Sequence, residues 1–390
     1  MSTRLTVFSA LLLAGCTGAG DPLAANNAGS SAATATSAAQ ADGRPFAMQT
    51  IAQFAEPWAM AFLPGSNQAL ITEKQGRLKL WTADGPVVDV SGVPAVDYGG
   101  QGGLGDVVLH PDFDRNGMVY LSFVEAGDGD TRGAAVGRGR LVVDGDAPRL
   151  EDFQVIWRQA PKVTGRGHFG HRLAFGPDGK LWISSGDRQK FDPAQDMSGN
   201  LGKIVRLNDD GSVPADNPFA ARGGVAAQVW SLGHRNPLGI AFDAAGNLWA
   251  HEMGPAQGDE LNLIARGRNF GWPTVSNGDH YDGRPIPDHD TRPNFEAPKV
   301  SWVPAISPAG MIIYSGDQFP AWRGSAFIGG LSGQNLVRVA IDGTNAREAE
   351  RWDMGRRIRE VEQGPDGSIY LLVDQRRGSG GELLRLSPPR

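Results

Sequence analysis

Short apolar runs alternate with turns rich in Pro, Asp, Asn and Gly along most of this chain. An apolar strand, such a turn, and a second strand rich in aromatic and β-branched residues recur from residues 61, 109, 174, 241 and 362, with a weaker copy from residue 311. Six copies over about 345 residues give a period of about 58, which is consistent with four strands plus inserted loops. Sheets repeated around an axis bury their faces against their neighbours, and the ring closes without long free edges. We therefore predict an all-β fold over residues 45–390, a six-bladed β-propeller of four-stranded antiparallel sheets, with an irregular sandwich of similar hairpins as the alternative.

One predicted hairpin carries a histidine and a carboxylate at its two ends, His168 and Asp187. Pro177-Asp178-Gly179 is a turn signal between two apolar runs, so residue n should lie opposite residue 355 − n. His168 is then expected opposite Asp187, although a glycine bulge could shift this pairing by one residue. Removing a proton from a hydroxyl requires a base within reach of a group that orients it and stabilises its protonated form.

Composition and charge narrow the class of protein. The 54 glycines and 26 prolines suit many short strands joined by tight turns, and no long stretch has apolar residues at helical spacing. The net charge of −6 is spread along the chain without a basic face, so binding to nucleic acid is disfavoured.

The N-terminal region predicts export. A short apolar run follows Arg4 and ends in Leu13-Ala14-Gly15-Cys16, which resembles the bacterial lipoprotein box. We predict a signal peptide over residues 1–16, a flexible low-complexity tether over residues 17–44, and a periplasmic protein that is lipid-anchored to a bacterial membrane through Cys16. An ordinary signal peptide with a chance cysteine is the alternative. Cys16 is the only cysteine, so no disulfide is expected in the mature fold.

Two basic clusters suit an anionic ligand. Arg235 and Asn236 come just before a predicted strand, where they would meet an anionic or carbonyl-rich ligand at a propeller mouth. Arg357 and Arg359 should project to the same side of an extended segment and suit a polycarboxylate, although a solvated surface run is the alternative.

A third cluster suits calcium. Gly254-Pro255 predicts an exposed turn with free carbonyls, and Asp259-Glu260 adds carboxylates, so the region offers hard oxygen ligands. An ordinary turn with two acids is the alternative. The chain has no P-loop motif, no second histidine after His251-Glu252 to complete a zinc-protease motif, and no G-x-S-x-G elbow, so catalysis by those routes is disfavoured.

Seven segments in order resemble the soluble pyrroloquinoline quinone (PQQ)-dependent sugar dehydrogenases, meaning the aldose sugar dehydrogenases and, more distantly, the soluble glucose dehydrogenases. These segments are GQGGLGDVVLHPDF, HFGHRLAFGPDGKLWISSGD, GKIVRLNDDGSVPADNPF, LGHRNPLGIAF, HEMGPAQGDELNLI, NFGWP and SWVPAISPAG. The resemblance extends from about Phe54 to the C-terminus. It implies a six-bladed propeller with PQQ at the mouth of the central channel and calcium beneath it.

The resemblance implies a role for each residue that matches a family motif. His168 corresponds to the general base that takes the proton from the anomeric hydroxyl of the sugar, and Asp187 to its carboxylate partner. His171 stands where relatives commonly carry a small residue, so it is the weaker choice of base. Gln101 matches a glutamine beside substrate and cofactor, and Trp302 matches an aromatic residue near the substrate entrance.

The remaining implied roles concern the cofactor and calcium. Arg235 and Asn236 match a pair over the cofactor, and Arg357 and Arg359 match arginines that pair with its carboxylates. The carbonyls of Gly254 and Pro255 match the ligands of the cofactor's calcium, while Glu260 and the carbonyl of Phe270 match a second, structural calcium site. Ser332 replaces a lysine that glucose dehydrogenases place on the cofactor, which should weaken cofactor affinity.

Together these features predict a calcium- and PQQ-dependent enzyme that oxidises aldoses at the anomeric carbon to lactones and passes electrons to an unidentified acceptor. The loops around NFGWPTVSNGDHYDG lack the long insertions of the glucose dehydrogenases, so the resemblance implies a more open mouth and a broader sugar range. Two alternatives remain open. One is a calcium-dependent lactone hydrolase, which would not need Arg357 and Arg359; the other is a non-catalytic propeller that binds glycans or a partner protein.

Overall fold

The computed structural model describes residues 43–144, 147–376 and 378–389. The predicted signal peptide, Cys16 and nearly all of the predicted tether lie outside the described residues. None of the helices within the described ranges is long and apolar enough to cross a membrane.

Within the described residues, twenty-four strands form six four-stranded sheets. The first sheet contains β2 (Pro57–Phe62), β3 (Gln68–Glu73), β4 (Arg77–Thr82) and β5 (Val87–Val90). The second contains β6 (Leu104–Leu109), β7 (Met118–Ala126), β8 (Arg132–Val142) and β9 (Arg149–Arg158). The third contains β10 (Gly170–Phe175), β11 (Leu181–Ser185), β12 (Lys203–Leu207) and β13 (Val229–Leu232). Within each sheet, sequence neighbours pair antiparallel.

The other three sheets follow the same order. The fourth contains β14 (Pro237–Phe242), β15 (Leu248–Glu252), β16 (Asp259–Leu263) and β17 (Val300–Trp302). The fifth contains β18 (Pro308–Ile313), β19 (Ala326–Gly330), β20 (Asn335–Asp342) and β21 (Asn345–Asp353). The sixth contains β22 (Arg357–Gln363), β23 (Ile369–Asp374), β24 (Gly380–Ser387) and, from the other end of the propeller chain, β1 (Ala47–Ala55).

The six sheets close into a ring. Their first strands contact one another in the order β2, β6, β10, β14, β18, β22, and β22 in turn contacts β2. Because β1 pairs with β24, the last sheet joins both ends of the propeller chain, which ties the ring shut. This arrangement confirms the predicted six-bladed β-propeller.

Helices are short within the described residues. One four-residue α-helix, α1, spans Phe113–Asn116. The 3-10 helices are Asp192–Ala194, Ala220–Arg222, Gly224–Gln228, His289–Thr291 and Pro320–Trp322. The prediction of little helix is therefore confirmed.

The recurring sequence pattern corresponds to one hairpin of each sheet. The copies from residues 61, 109, 174, 241, 311 and 362 span the turns that join the first and second strands. In the third sheet, Gly176 and Lys180 close the turn, and Leu173 pairs with Ile183. A bulge then brings Gly170 opposite Ser185, which is the register predicted for the end of this hairpin.

The hydrophobic core lies between neighbouring sheets. One cluster joins Trp249 and Leu261 of the fourth sheet to Met311, Ile328 and Val337 of the fifth. Burying a large apolar side chain contributes about 1.5–3 kcal/mol, so each sheet is stabilised by the next one around the ring. Apolar packing between the sheets therefore stabilises the ring. Polar residues can then lie where the first strands begin.

Candidate active site

A pocket of about 240 Å³ lies where several first strands begin. Its walls include Pro57 of β2, Gly170 of β10, Leu238 of β14 and Arg357 of β22, together with Gln101 just before β6. Small-molecule sites have volumes of roughly 300–1,000 Å³, so this pocket is of the right order for a compact ligand.

His168 and Asp187 meet as the hairpin register predicts. The distance from Nδ1 of His168 to Oδ1 of Asp187 is 2.7 Å, and both side chains are buried. Gly186 permits this approach, because a Cβ there would lie 2.2 Å from the carbonyl oxygen of His168. The backbone of His168 has φ = 49°, a left-handed conformation that non-glycine residues rarely adopt and that is often found at functional sites.

Residues from the second and fourth sheets, together with the neighbouring backbone, hold this pair. Trp272 donates its indole N–H to Oδ2 of Asp187 at 2.8 Å, and the backbone N–H of Gln189 donates to Oδ1 at 2.8 Å. Gln101 accepts the backbone N–H of His168 at 2.7 Å and also lines the pocket. Trp272 lies in the segment NFGWP, but no local pattern in the sequence predicted its contact with Asp187.

The protonation of His168 suits a general base. A carboxylate only accepts hydrogen bonds, so Nδ1 of His168 donates to Asp187 and Nε2 is left with its lone pair. Burial lowers the pKa of His168; the bond with Asp187 opposes this shift, while the positive charge of Arg235 adds to it. His168 is therefore neutral near pH 7 and able to accept a proton at Nε2.

His171 is in a different environment. Its ring stacks on Trp58 with centroids 5.0 Å apart, and its Nδ1 lies 2.8 Å from Oγ of Ser122. Burial and the charge of Arg172 lower the pKa of His171 to about 3. His171 lines the pocket, but its very low basicity makes it a poor proton acceptor, in agreement with the preference for His168.

Arg235 and Asn236 stand beside His168. The guanidinium of Arg235 donates to the carbonyl of Met253 at 3.0 Å and to the hydroxyl of Tyr281 at 3.3 Å. Asn236 uses Oδ1 to accept the backbone N–H of Gly170 at 3.2 Å. Among the described side chains, Nε of Arg235 and Nδ2 of Asn236 are buried donors without a hydrogen-bond partner. Buried donors normally have partners, so these two are suited to a bound acceptor.

Arg357 and Arg359 converge as predicted, but they share a carboxylate that the sequence analysis missed. Asp374 of the adjacent strand accepts from Nε of Arg357 at 2.8 Å and from Arg359 at 2.9 and 2.6 Å. Burial opposes ionisation of Asp374, but the two arginines outweigh it and lower the pKa of that carboxyl. All three line the pocket together with Lys74 and Arg376. Cationic groups outnumber carboxylates there, which favours an anionic ligand.

The Gly254-Pro255 turn is buried, so the prediction of an exposed turn is wrong. Asp259 causes this burial: it accepts the backbone N–H of Gly254 at 2.9 Å and those of Ile306 and Ser307 at 2.8 and 2.7 Å. Asp259 thus joins two loops and already accepts three hydrogen bonds, of the roughly four that a carboxylate can accept. Within the described residues, the carbonyls of Gly254 and Pro255 accept no hydrogen bond, which leaves them available.

Glu260 lines a small cavity of about 10 Å³, together with Glu252, Gly254 and Phe270. Burial and the charge of Glu252 raise the pKa of Glu260 well above its ordinary value. The carbonyl of Phe270 lies 3.2 Å from Nε2 of His289. No cluster of three or more His, Cys, Asp or Glu side chains suited to a metal occurs in the described ranges, so a cation would need carbonyl ligands as well.

Trp302 does not lie where it was expected. It is 3% exposed, packs in the core between the fourth and fifth sheets, and donates its indole N–H to Glu348 at 2.6 Å. Because Trp302 is buried between two sheets, it is a packing residue. The prediction that it lies near the substrate entrance is wrong. Ser332 hydrogen-bonds to the hydroxyl of Ser307 and follows Leu331, which lines the pocket.

Comparisons with known proteins show the family to which this chain belongs. A family model described as glucose/sorbosone dehydrogenase matches residues 54–385. The aldose sugar dehydrogenase YliI of Escherichia coli (strain K12) is 42% identical over 338 residues, covering 85% of this chain and 90% of the relative. A crystal structure of a glucose dehydrogenase has a TM-score of 0.83 and 44% identity, covering 88% of this chain and 99% of that one. The PQQ-bound form of an aldose sugar dehydrogenase from Streptomyces coelicolor has a TM-score of 0.70 and 27% identity, covering 88% and 98%.

The ring of six sheets, with a buried His–Asp pair beside a cationic pocket, defines a propeller oxidoreductase. The chain belongs to the glucose/sorbosone dehydrogenase family and is a sugar dehydrogenase, as its sequence segments indicated. Neither the lactone hydrolase nor the non-catalytic propeller is supported by these relatives.

Proposed function

We propose that this chain oxidises aldoses at the anomeric carbon to lactones, with PQQ as hydride acceptor, calcium as bound cation, and an external electron acceptor. The observation that carries the proposal is the buried His168, whose ring is oriented by a carboxylate. Its Nδ1 is held by Asp187, and it lies directly before Phe169 and Gly170 of the pocket wall.

The donors around the pocket fit PQQ, which has three carboxylates and a quinone carbonyl. Arg357 and Arg359 would hold carboxylates, because guanidinium groups bind them with short, charge-assisted hydrogen bonds. The unpartnered Nε of Arg235 and Nδ2 of Asn236 would meet acceptor atoms of the same ligand. The known relative from Streptomyces coelicolor that binds PQQ has the same fold, which supports this assignment.

The protein's part in the reaction is to remove one proton in a fixed geometry. When bound, PQQ would supply the acceptor for the hydride that leaves the anomeric carbon. Nε2 of His168 takes the proton of the anomeric hydroxyl, so that the C–O bond becomes the carbonyl of the lactone. Asp187 keeps the imidazole in the correct tautomer and stabilises its positive charge after the transfer. Trp272 and Gln189 hold Asp187 in place through their N–H groups.

Calcium is proposed at two positions. The free carbonyls of Gly254 and Pro255 would bind the ion next to PQQ, where a divalent charge polarises a carbonyl. Glu260 and the carbonyl of Phe270 would bind the second ion at the small cavity, because carboxylate and carbonyl oxygens suit calcium. A cation there would relieve the repulsion between Glu260 and Glu252. Export and lipid anchoring through Cys16 are part of the proposal on the sequence pattern alone.

The test is dye reduction by the full chain loaded with PQQ and calcium, with glucose, galactose and maltose as substrates. His168→Ala should lower kcat by at least about a hundredfold, because it removes the base. His110, which lies after β6 and interacts with Asn116, provides a matched control: His110→Ala should keep turnover. Wild-type turnover in His168→Ala would refute the mechanism.

A further inference from the structure

A buried arginine beside the pocket takes no part in the proposed reaction. Arg172 is 5% exposed and does not line the pocket. An isolated charge in the interior is very costly, so a buried arginine normally has carboxylate partners. Two carboxylates contact Arg172: its Nη1 lies 3.4 Å from Oδ1 of Asp106 and forms an ion pair with Glu360. Arg172 therefore remains a cation inside the ring.

Arg172 contacts four other sheets near the axis of the ring. Its Nε donates to the carbonyl of Leu238 in the fourth sheet at 2.8 Å, and its guanidinium carbon lies 4.0 Å from the ring centroid of Trp58 in the first sheet. Asp106 belongs to the second sheet and Glu360 to the sixth. Trp58 and Leu238 both line the pocket, so Arg172 supports part of the pocket wall.

The contact with the sixth sheet falls on a β-bulge. The register of β22 against β23 shifts between Ile358 and Glu360, so Arg359 has no partner residue in β23. A bulge leaves one residue out of the ladder and redirects its side chain. Nη2 of Arg172 donates to the carbonyl of Arg359 at 3.3 Å, and Nη1 contacts the side chain of Glu360. Arg172 thus holds the bulge through two consecutive residues.

The bulge determines where the side chain of Arg359 lies. Arg359 lines the pocket, and its guanidinium donates to Asp374 at 2.9 and 2.6 Å. Because the strand ladder does not fix the backbone at this residue, the hydrogen bond from Arg172 supplies a restraint that β23 does not. Movement of that carbonyl would move the guanidinium of Arg359 relative to the pocket.

We propose that Arg172 is a positioning residue for the cofactor pocket: it holds the bulge so that the guanidinium of Arg359 can meet a carboxylate of the bound ligand. This inference rests on the proposed function, in which PQQ carboxylates bind at Arg359. Arg172 does not bind the ligand itself, since its Nε, Nη1 and Nη2 all have partners within the protein. A lysine cannot replace it fully, because an ammonium group lacks the fixed planar donors of a guanidinium.

The test is a double-mutant cycle on the Kd for PQQ, measured by absorbance titration of the full chain in the presence of calcium. Arg172→Lys keeps the charge but lacks the planar donors, so it should raise Kd about tenfold, as Arg359→Gln should. Because Arg172 acts through Arg359, the double variant should have about the same Kd as Arg359→Gln alone, whereas independent effects would multiply to about a hundredfold. A multiplied effect, or an unchanged Kd in Arg172→Lys, would overturn the proposal.

A matched control separates positioning from a general loss of stability. Arg206 is also 5% exposed, donates to the carboxylates of Asp178 and Asp216, and lies 5.3 Å from the ring centroid of Trp230. Neither Arg206 nor these partners line the pocket. Arg206→Lys should lower resistance to urea, as Arg172→Lys does, and leave Kd near the wild-type value. An equal rise in Kd in both variants would show that packing in general is responsible and would overturn the proposal.

A second replacement keeps the proposal testable if Arg172→Lys does not fold. Arg172→Met combined with Glu360→Gln removes the buried ion pair as a whole, which folded proteins often tolerate, and leaves the net charge unchanged. Kd should again rise about tenfold, and this rise should be absent when Arg359→Gln is also present. A wild-type Kd in Arg172→Met with Glu360→Gln would overturn the proposal. Failure of the proposed function differs, because the wild-type chain itself would then show no saturable absorbance change with PQQ.

Discussion

Replacing Asp187 with Asn tests how the catalytic pair works. The carboxylate accepts three hydrogen bonds: from His168 and Gln189 at Oδ1, and from Trp272 at Oδ2. An amide of the same shape can accept on one side only. In either orientation of the substituted amide, a buried N–H therefore faces another N–H.

The tautomer of His168 decides the orientation. With the amide nitrogen toward Trp272, one hydrogen bond is lost, at about 1–3 kcal/mol for a buried unsatisfied donor. With the nitrogen toward His168 and Gln189, at least one bond is lost and His168 must adopt the tautomer that protonates Nε2. The first orientation is favoured, so we expect a loss in stability of about 1–3 kcal/mol.

Activity should fall by more than the loss in stability suggests. The negative charge that favours protonated His168 is gone in either orientation, so the pKa of His168 falls further below its ordinary value. The base is then weaker, and kcat should fall about a hundredfold or more. The acid limb of the pH–rate profile should move to lower pH, because a lower pKa leaves His168 unprotonated in more acidic solution.

The assay combines kcat against pH with urea unfolding of the same preparation. Asp243→Asn is a matched control, because Asp243 also accepts an indole N–H, from Trp249 at 3.0 Å, but lies in the turn between β14 and β15. It should lower stability and leave kcat unchanged. If Asp187→Asn retained kcat within a few-fold of wild type, the role assigned to Asp187 would be wrong.

Two further predictions concern calcium and the cofactor. Burial and the charge of Glu252 raise the pKa of Glu260 well above 4.5. The folded chain therefore binds this proton more tightly than the unfolded chain does. As a result, the calcium-free protein should lose stability as pH rises above 4.5. Glu260→Gln should remove this loss of stability with pH, and it should also remove the rise in Tm on adding calcium. A calcium-induced rise in Tm that persisted in Glu260→Gln would contradict the second calcium site. Arg359→Gln should raise the Kd for PQQ about tenfold or more in an absorbance titration, because one charge-assisted hydrogen bond is lost. Arg356→Gln, whose guanidinium contacts Glu382 instead, should leave Kd near the wild-type value, and equal effects of the two changes would argue against a specific contact.

The local parts of the fold could be predicted from the sequence. The hairpin between the first and second strands recurs six times, and each copy can be recognised because the residues that favour its turn are consecutive in the sequence. The pairing of His168 with Asp187 follows from one turn and one bulge, so counting along the chain located it correctly. Family segments then added the class of reaction, which the relatives confirm.

Contacts between distant segments were decided only when the ring closed. Trp272 reaches Asp187 across 85 residues, and no local pattern marks that bond. The burial of the Gly254-Pro255 turn depends on Asp259 accepting hydrogen bonds from Ile306 and Ser307, which lie in the loop that leads to the next sheet. Trp302 is buried for a similar reason, because the fifth sheet covers it and Glu348 accepts its N–H. Turn chemistry and strand alternation act within a few residues, whereas burial depends on which sheet becomes the neighbour, and that is a property of the closed ring alone.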